Sequence, residues 1–164
     1  MERVTQSTFD SLVGGLEYPM FIVTVCAGGE RAGCLVGFAT QASIDPSRFL
    51  VCLSHTNRTS RIAQGAELLG VHFVPEEQAE LAELFGGETG DEVDKFERVA
   101  WEPGPGGTPL LAACPNRFVG RVLERLDAGD HDAILLEPVA AERGTDSREF
   151  SSHRAARIEP GHEA

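Results

Sequence analysis

The sequence predicts a mainly β domain with inserted helices (α+β), built as a small barrel with helices at its side. Three observations predict it. The first two strands and the last two are each joined by a tight turn, whereas a doubly wound sheet needs a helix between successive strands. The helical patterns fall in the middle of the chain, as insertions between strands. The 164 residues, 41% of them hydrophobic, suit one domain with its own core. The expected domain spans 1–164, with a core of about 12–142 and a polar tail over 143–164.

"YPMFIVTVCAGGERAGCLVGFATQASID" reads as a hairpin, two β-branched runs around the turn "GGER". "RFLVCLS" is a third short strand whose lack of alternation predicts burial on both faces. "TNRTSRIAQGA" is a short helix with Asn57 or Thr56 as N-cap. "LLGVHFV" is a fourth strand. "PEEQAELAELFGG" is a helix, with Pro near its start, acidic residues in its first turn and Gly at its end. Leu81, Leu84 and Phe85 give it an apolar stripe. "GDEVDKFERVAW" is a further short helical piece, and "EPGPGGTP" a Gly/Pro loop. "RFVGRVLERL" and "DAILLEPVAAE" are two more strands around "DAGD". That makes about six strands. In the tail, Phe150 is the one apolar anchor.

The formal charge of −12 disfavours nucleic acid and anionic lipid as partners. No run approaches a membrane span, and "MERVTQSTFDSLVGG" lacks a signal-peptide core, so a soluble cytoplasmic protein is expected. Cys26, Cys34, Cys52 and Cys114 form no Cys-x-x-Cys pair, and three lie in apolar runs; they read as reduced core thiols. The five histidines lack metal-ligand spacing, and no metal site is expected. His72, inside an apolar strand, reads as a satisfied core residue. There is no Walker-type phosphate loop, no Gly-x-Gly-x-x-Gly after a strand and no Gly-x-Ser-x-Gly elbow.

Two polar clusters remain, each following an apolar strand. If those strands pair, Thr40–Ser43 and Ser54–Thr59 converge at one mouth of the barrel. Hydroxyls, an amide, backbone N–H groups and arginine would then suit a phosphate, and Phe38 with the strand backbone would cover a flat apolar ring. A flat ring with a phosphate tail describes flavin mononucleotide. On the residues alone, ordinary caps and turns account for the clusters at least as well.

The stretch "GCLVGFATQASIDPSRFLVCLSHTNRTSRIA" resembles the flavin reductase-like family, whose fold is the FMN-binding split barrel. Three further segments resemble family elements in the same order: "VDKFERV", "GTPLLAACPNRFVGRV" and "GDHDAILLEPVAA". The terminal "EPGHEA" is similar to the end of some members. The resemblance covers about residues 12 to 142. It departs at Leu35, Gly37 and Phe38, where many relatives carry Thr, Asn or Ser, and a small residue; Gln41 replaces a common Ser. Fewer side chains there can hydrogen-bond a ring, which shifts the contact to backbone groups.

The resemblance implies a split β-barrel of the flavin reductase type and an NAD(P)H-dependent flavin reductase. Hydride would pass from reduced nicotinamide to FMN or FAD, and in many relatives the reduced flavin supplies a separate monooxygenase partner. It implies that Val36, Gly37, Phe38, Ala39, Thr40 and Gln41 line the ring. Ser43, Ser54, Asn57, Arg58 and Thr59 would hold the ribityl chain and phosphate. His131 would stand by the nicotinamide, with Asp130 bracing the turn before it, and a homodimer would place flavin near its interface. Two other readings stay open: an oxidoreductase with tightly held FMN and an unknown acceptor, and a flavin-binding carrier or sensor without turnover.

Overall fold

The computed structural model describes residues 4–144 and 146–161; Met1–Arg3, Thr145 and His162–Ala164, the end of the "EPGHEA" match, lie outside the described residues. Two short strands, β1 (Phe21–Ala27) and β2 (Glu30–Val36), form the first hairpin. Its turn is Gly28-Gly29, both with φ in the left-handed region (59° and 80°), a conformation that matches strand twist and costs glycine little. The sequence reading runs the second strand on through Gly37 and Phe38. The structure breaks it there, and β3 (Ala39–Ser43) begins beyond the break.

The remaining elements of the barrel are β4 (Arg48–Ser54), β5 (Leu68–Phe73), β8 (Arg117–Asp127) and β9 (His131–Glu142). All pair antiparallel in the order β2-β1-β5-β8-β9-β4-β3. β2 and β3 thus occupy opposite edges of a seven-stranded sheet, yet only Gly37 and Phe38 separate them in the chain. The three residue steps from Val36 to Ala39 span at most about 11 Å, so the sheet must curl until its edges come close. Among the described residues no ladder joins those edges, and the barrel is split along that line. The Phe38 carbonyl accepts from the Cys52 N–H at 2.8 Å and pins the crossing to β4.

Curling creates two apolar regions. Inside lie Val23, Val25, Val51, Leu53, Leu69, Val71, Ile134 and Leu136. Outside, Ile22, Val74, Leu84, Phe85, Leu111 and Phe150 pack under α3 (Ala79–Gly87), the small hairpin β6 (Trp101–Pro103) with β7 (Pro109–Leu111), and the C-terminal segment. β1 and β5 therefore bury both faces. β4 does not, against expectation: Val51 and Leu53 point inward while Cys52 stays partly exposed.

Buried polar groups tie the layers together. His72 Nδ1 donates to the Ile22 carbonyl at 3.0 Å, and its Nε2 accepts from the Leu111 N–H at 3.0 Å, joining β5 to β1 and β7. Lys95 Nζ donates to the carbonyls of Gly33 and Phe85, fastening the Asp-Lys-Phe segment between β2 and α3. Burial lowers the Lys95 pKa and pushes that of His72 down to about 4. The expected helical piece around Lys95 is a single 3-10 turn over Lys95–Glu97. The sequence reading missed helix α1 (Gln6–Val13) and took the β6–β7 hairpin for a loop; the described residues form nine strands rather than about six.

Candidate functional site

β4 ends at Ser54 and β9 begins at His131, and the ladder between them pairs these residues directly. Such neighbours have Cβ atoms about 4.5–5.5 Å apart. Asp132 fixes the junction: its carboxylate accepts from His55 Nε2 (3.1 Å), Ser60 Oγ (3.3 Å) and Gln64 Nε2 (2.7 Å). The His55 N–H also donates to the Asp130 carbonyl at 3.0 Å. The start of β9 is thereby held against helix α2 (Arg58–Ala63), whose N-cap is Asn57, as expected; its Oδ1 accepts from the Thr59 N–H at 3.1 Å.

The His131 ring stands at this junction. Its Nδ1 lies 2.7 Å from Asp130 Oδ1, and that contact lowers the Asp130 pKa. With the proton on Nδ1, the second nitrogen is left as an acceptor. The Phe38 ring leans on the imidazole, centroids 5.2 Å apart, although it is 61% exposed. Beside this pair opens a cavity of about 260 Å³. Ser54, Asn57 and His131 form its polar side; Val36, Gly37 and Phe38 form its wall. A wider cavity of about 760 Å³ shares Gly37, Phe38 and Cys52 with the first and runs along Ala39, Thr40 and Gln41.

The expected residues therefore divide. Val36, Gly37, Phe38, Ser54, Asn57 and His131 meet at one cavity, and Ala39, Thr40 and Gln41 at its neighbour. The predicted meeting of Thr40–Ser43 with Ser54–Thr59 at one mouth does not occur within the chain. β3 and β4 do pair, but antiparallel, with Ser43 opposite Arg48. From Arg48 to Ser54 is six residues of strand, roughly 20 Å. Thr59 is 1% exposed, its side chain turned into the fold near Cys34. Arg58 points away into a charged cleft, where it pairs with Glu30 (3.0 Å) and Asp91 (3.9 Å).

Other cavity residues escaped the sequence reading: Met20, Cys52, Gly86, and Ala155, Ile158 and Pro160 from the tail. Only the apolar character of Ile158 in a polar tail signalled its part. The four cysteines are free, as expected; Cys34 and Cys114 are buried and Cys26 and Cys52 partly exposed. Burial pushes Cys34 up to about 11 and Cys114 up to about 12. Among the described residues no cluster has metal-ligand composition, and no helix is long and apolar enough to cross a membrane.

The fold recurs in solved structures. NADH:FAD oxidoreductase SgcE6 from Streptomyces globisporus superposes with a TM-score of 0.81 at 22% identity, covering 92% of each chain. The flavin reductase domain protein from Arthrobacter sp. FB24 gives 0.82 at 23% identity and the same coverage. In sequence, the FMN reductase (NADH) RutF of Bradyrhizobium diazoefficiens is 26% identical over 143 residues, 87% of this chain and 79% of that protein. The reductase component of a 4-nitrophenol monooxygenase from Rhodococcus opacus is 28% identical over 145 residues, 88% of this chain and 76% of its own length. The family model of the flavin reductase like domain matches residues 13–157, which include every strand of the barrel, and the chain belongs to that family.

Proposed function

We propose that this protein is an NAD(P)H-dependent flavin reductase and that the whole chain forms one flavin-binding domain. The observation that carries the site is the Ser54–His131 pairing beside the Gly37–Phe38 crossing. It puts hydroxyl, amide and imidazole at one side of a cavity with an otherwise apolar wall. That chemistry fits a flavin: a flat ring needs apolar faces, and its phosphate needs donors. Bound there, the flavin supplies a ring that accepts hydride from reduced nicotinamide and passes electrons on.

The chain's own groups bind and orient. Ser54 and Asn57 serve the phosphate end. Val36, Gly37 and Phe38 lie along the ring, where backbone groups replace the side-chain donors that Leu35 and Phe38 lack. His131, held by Asp130 and by the Asp132 brace, orients the nicotinamide. Ala39, Thr40 and Gln41 border the wider cavity, which has room for the second nucleotide. FMN and FAD both suit this arrangement. A homodimer fits the exposed apolar side chains of Phe9 and Leu12 on α1 and of Leu16 just beyond it. A monooxygenase component is the natural consumer of reduced flavin, and a cytoplasmic setting supplies the reduced nicotinamide.

The test is NADH and NADPH oxidation by purified protein, with and without added FMN or FAD. Steady nucleotide loss that depends on flavin is expected. A protein that binds flavin yet oxidises neither nucleotide is a carrier or sensor, and this reading falls.

A further inference from the structure

The wider cavity, about 760 Å³, falls within the ~300–1,000 Å³ usual for small-molecule sites. Four of its lining side chains are phenylalanines in mutual contact. Phe21, Phe49, Phe118 and Phe73, from β1, β4, β8 and β5, close a circuit with centroids 5.5, 5.2, 6.4 and 5.0 Å apart in turn. Tyr18 and Phe38 add two more rings. Among the described residues that line this cavity, Arg48 alone is charged.

Arg48 opens β4, one residue before Phe49. Among the described residues every bond of its guanidinium uses Nη1, which donates to the Ser47 carbonyl at 2.8 Å and reaches Glu137 Oε1 at 3.5 Å. Nε and Nη2 are uncommitted, and together they form a flat fork that can grip two oxygens of one phosphate. The Glu137 carboxylate is shared as well: its Oε2 lies 3.5 Å from Arg121 Nη1. One acid thus serves two arginines, both at the outer limit of hydrogen bonding. Arg117, by contrast, has two carboxylates to itself at 2.6 and 2.7 Å. The group of Arg48, Arg121 and Glu137 carries one excess positive charge in a chain of formal charge −12, whose overall field repels anions. Aromatic walls with one loosely paired guanidinium suit a ligand that carries both a flat ring and an anionic group.

We propose that Arg48 is the anion contact of the wider cavity and takes a phosphate of the nicotinamide nucleotide, with Glu137 as the competitor that the phosphate displaces. This deepens the flavin reductase reading and rests on it. Two groups of that ligand share the chemistry. The pyrophosphate is common to both nucleotides, and the 2′-phosphate belongs to the NADP form alone.

The test titrates the full chain with NAD⁺ and NADP⁺ in a calorimeter, where no turnover occurs. Arg48→Ala should weaken binding at least about tenfold, the size of a lost charge-assisted bond, with the melting temperature showing the variant folded. Should Arg48→Ala not fold, Arg48→Gln is read in its place. A loss with both nucleotides assigns the pyrophosphate, and a loss with NADP⁺ alone assigns the 2′-phosphate. Glu137→Gln removes the competitor and should tighten the same nucleotide by about threefold, a gain that damage to the fold does not produce. Unchanged binding in a folded Arg48 variant overturns the anion contact, as does a Glu137→Gln that weakens binding or an unmodified protein that binds neither nucleotide. Flavin-dependent NAD(P)H oxidation, followed alongside, separates the two readings. Binding that depends on Arg48 without any oxidation leaves the anion contact standing and overturns the reductase. Oxidation with the same KM for both nucleotides in Arg48→Ala does the reverse.

Discussion

His72 and His131 are the same side chain in two settings. His72 is 0% exposed and spends both ring nitrogens on backbone groups, one on Ile22 and one on Leu111. His131 spends one nitrogen on Asp130 and turns its ring toward a cavity, against an exposed phenylalanine. A histidine with both nitrogens committed inside the fold holds strands together. One with a nitrogen left over at a cavity can meet a ligand. The surroundings agree. Around His72, Arg117 is ion-paired with Glu102 and Glu142 and donates to the Leu111 carbonyl. Around His131 the neighbours brace the ring without enclosing it.

The largest expected effect breaks the His72 side of this contrast. His72→Ala leaves the Ile22 carbonyl and the Leu111 N–H without partners and opens a cavity under the β6–β7 hairpin. Each buried unpaired group costs about 1–3 kcal/mol, so a loss of about 3–5 kcal/mol is expected in urea denaturation. A loss below about 1 kcal/mol would show that water or repacking replaces the ring.

Acid should weaken the same joint. The unfolded chain protonates this histidine below about pH 6.5, whereas the folded chain resists down to about 4. The folded pKa is depressed, so the contribution is complete above pH 6.5 and is lost as pH falls through that window. The loss is about 3 kcal/mol at 1.36 kcal/mol per pKa step. Denaturation at pH 7.5, 5.5 and 4.5 measures it, and His72→Gln should flatten the dependence.

On the other side, His131→Ala should leave folding intact and flavin affinity within a few-fold. NAD(P)H-dependent turnover should drop at least about tenfold, some 1.4 kcal/mol of barrier, because a misplaced ring reacts slowly. Unchanged turnover in the folded variant would make His131 a turn residue, and the contrast with His72 would lose its functional half. The smallest effect is expected at Arg58. Its pairing with Glu30 and Asp91 turns it from the cavity, so Arg58→Ala should change FMN affinity by less than about threefold. A tenfold loss would mean that the guanidinium swings to the phosphate when flavin binds.

Much of the fold was legible because it is written locally. β-branched runs, Gly28-Gly29, the Asn57 cap and the Leu81/Leu84/Phe85 stripe each act within a few residues. What was not legible depended on partners far along the chain. A break at Gly37-Phe38 looks like a weak point in one strand, because neither residue records that the next strand bonds to the opposite edge. The β6–β7 hairpin hides in a Gly/Pro stretch because three-residue strands carry no period. The site was legible in part for the same reason. Ser54 and His131 could each be named, but their pairing is a matter of register between β4 and β9. Arg58 was drawn into the site by proximity in sequence to Asn57, and the helical turn sends it to another face.

The sequence by itself determined the types of the longer barrel strands and of the two middle helices, the satisfied burial of His72 and the membership of the polar clusters, since periodicity, propensity and capping act over short spans. Only the tertiary structure decided which cluster residues meet. Antiparallel pairing sends Thr40–Ser43 away from Ser54, curling of the sheet joins its edges at Phe38, and the tail returns to close the cavity with Ile158. Those outcomes follow from closing long loops around two apolar layers at once, a condition that no short stretch of chain contains.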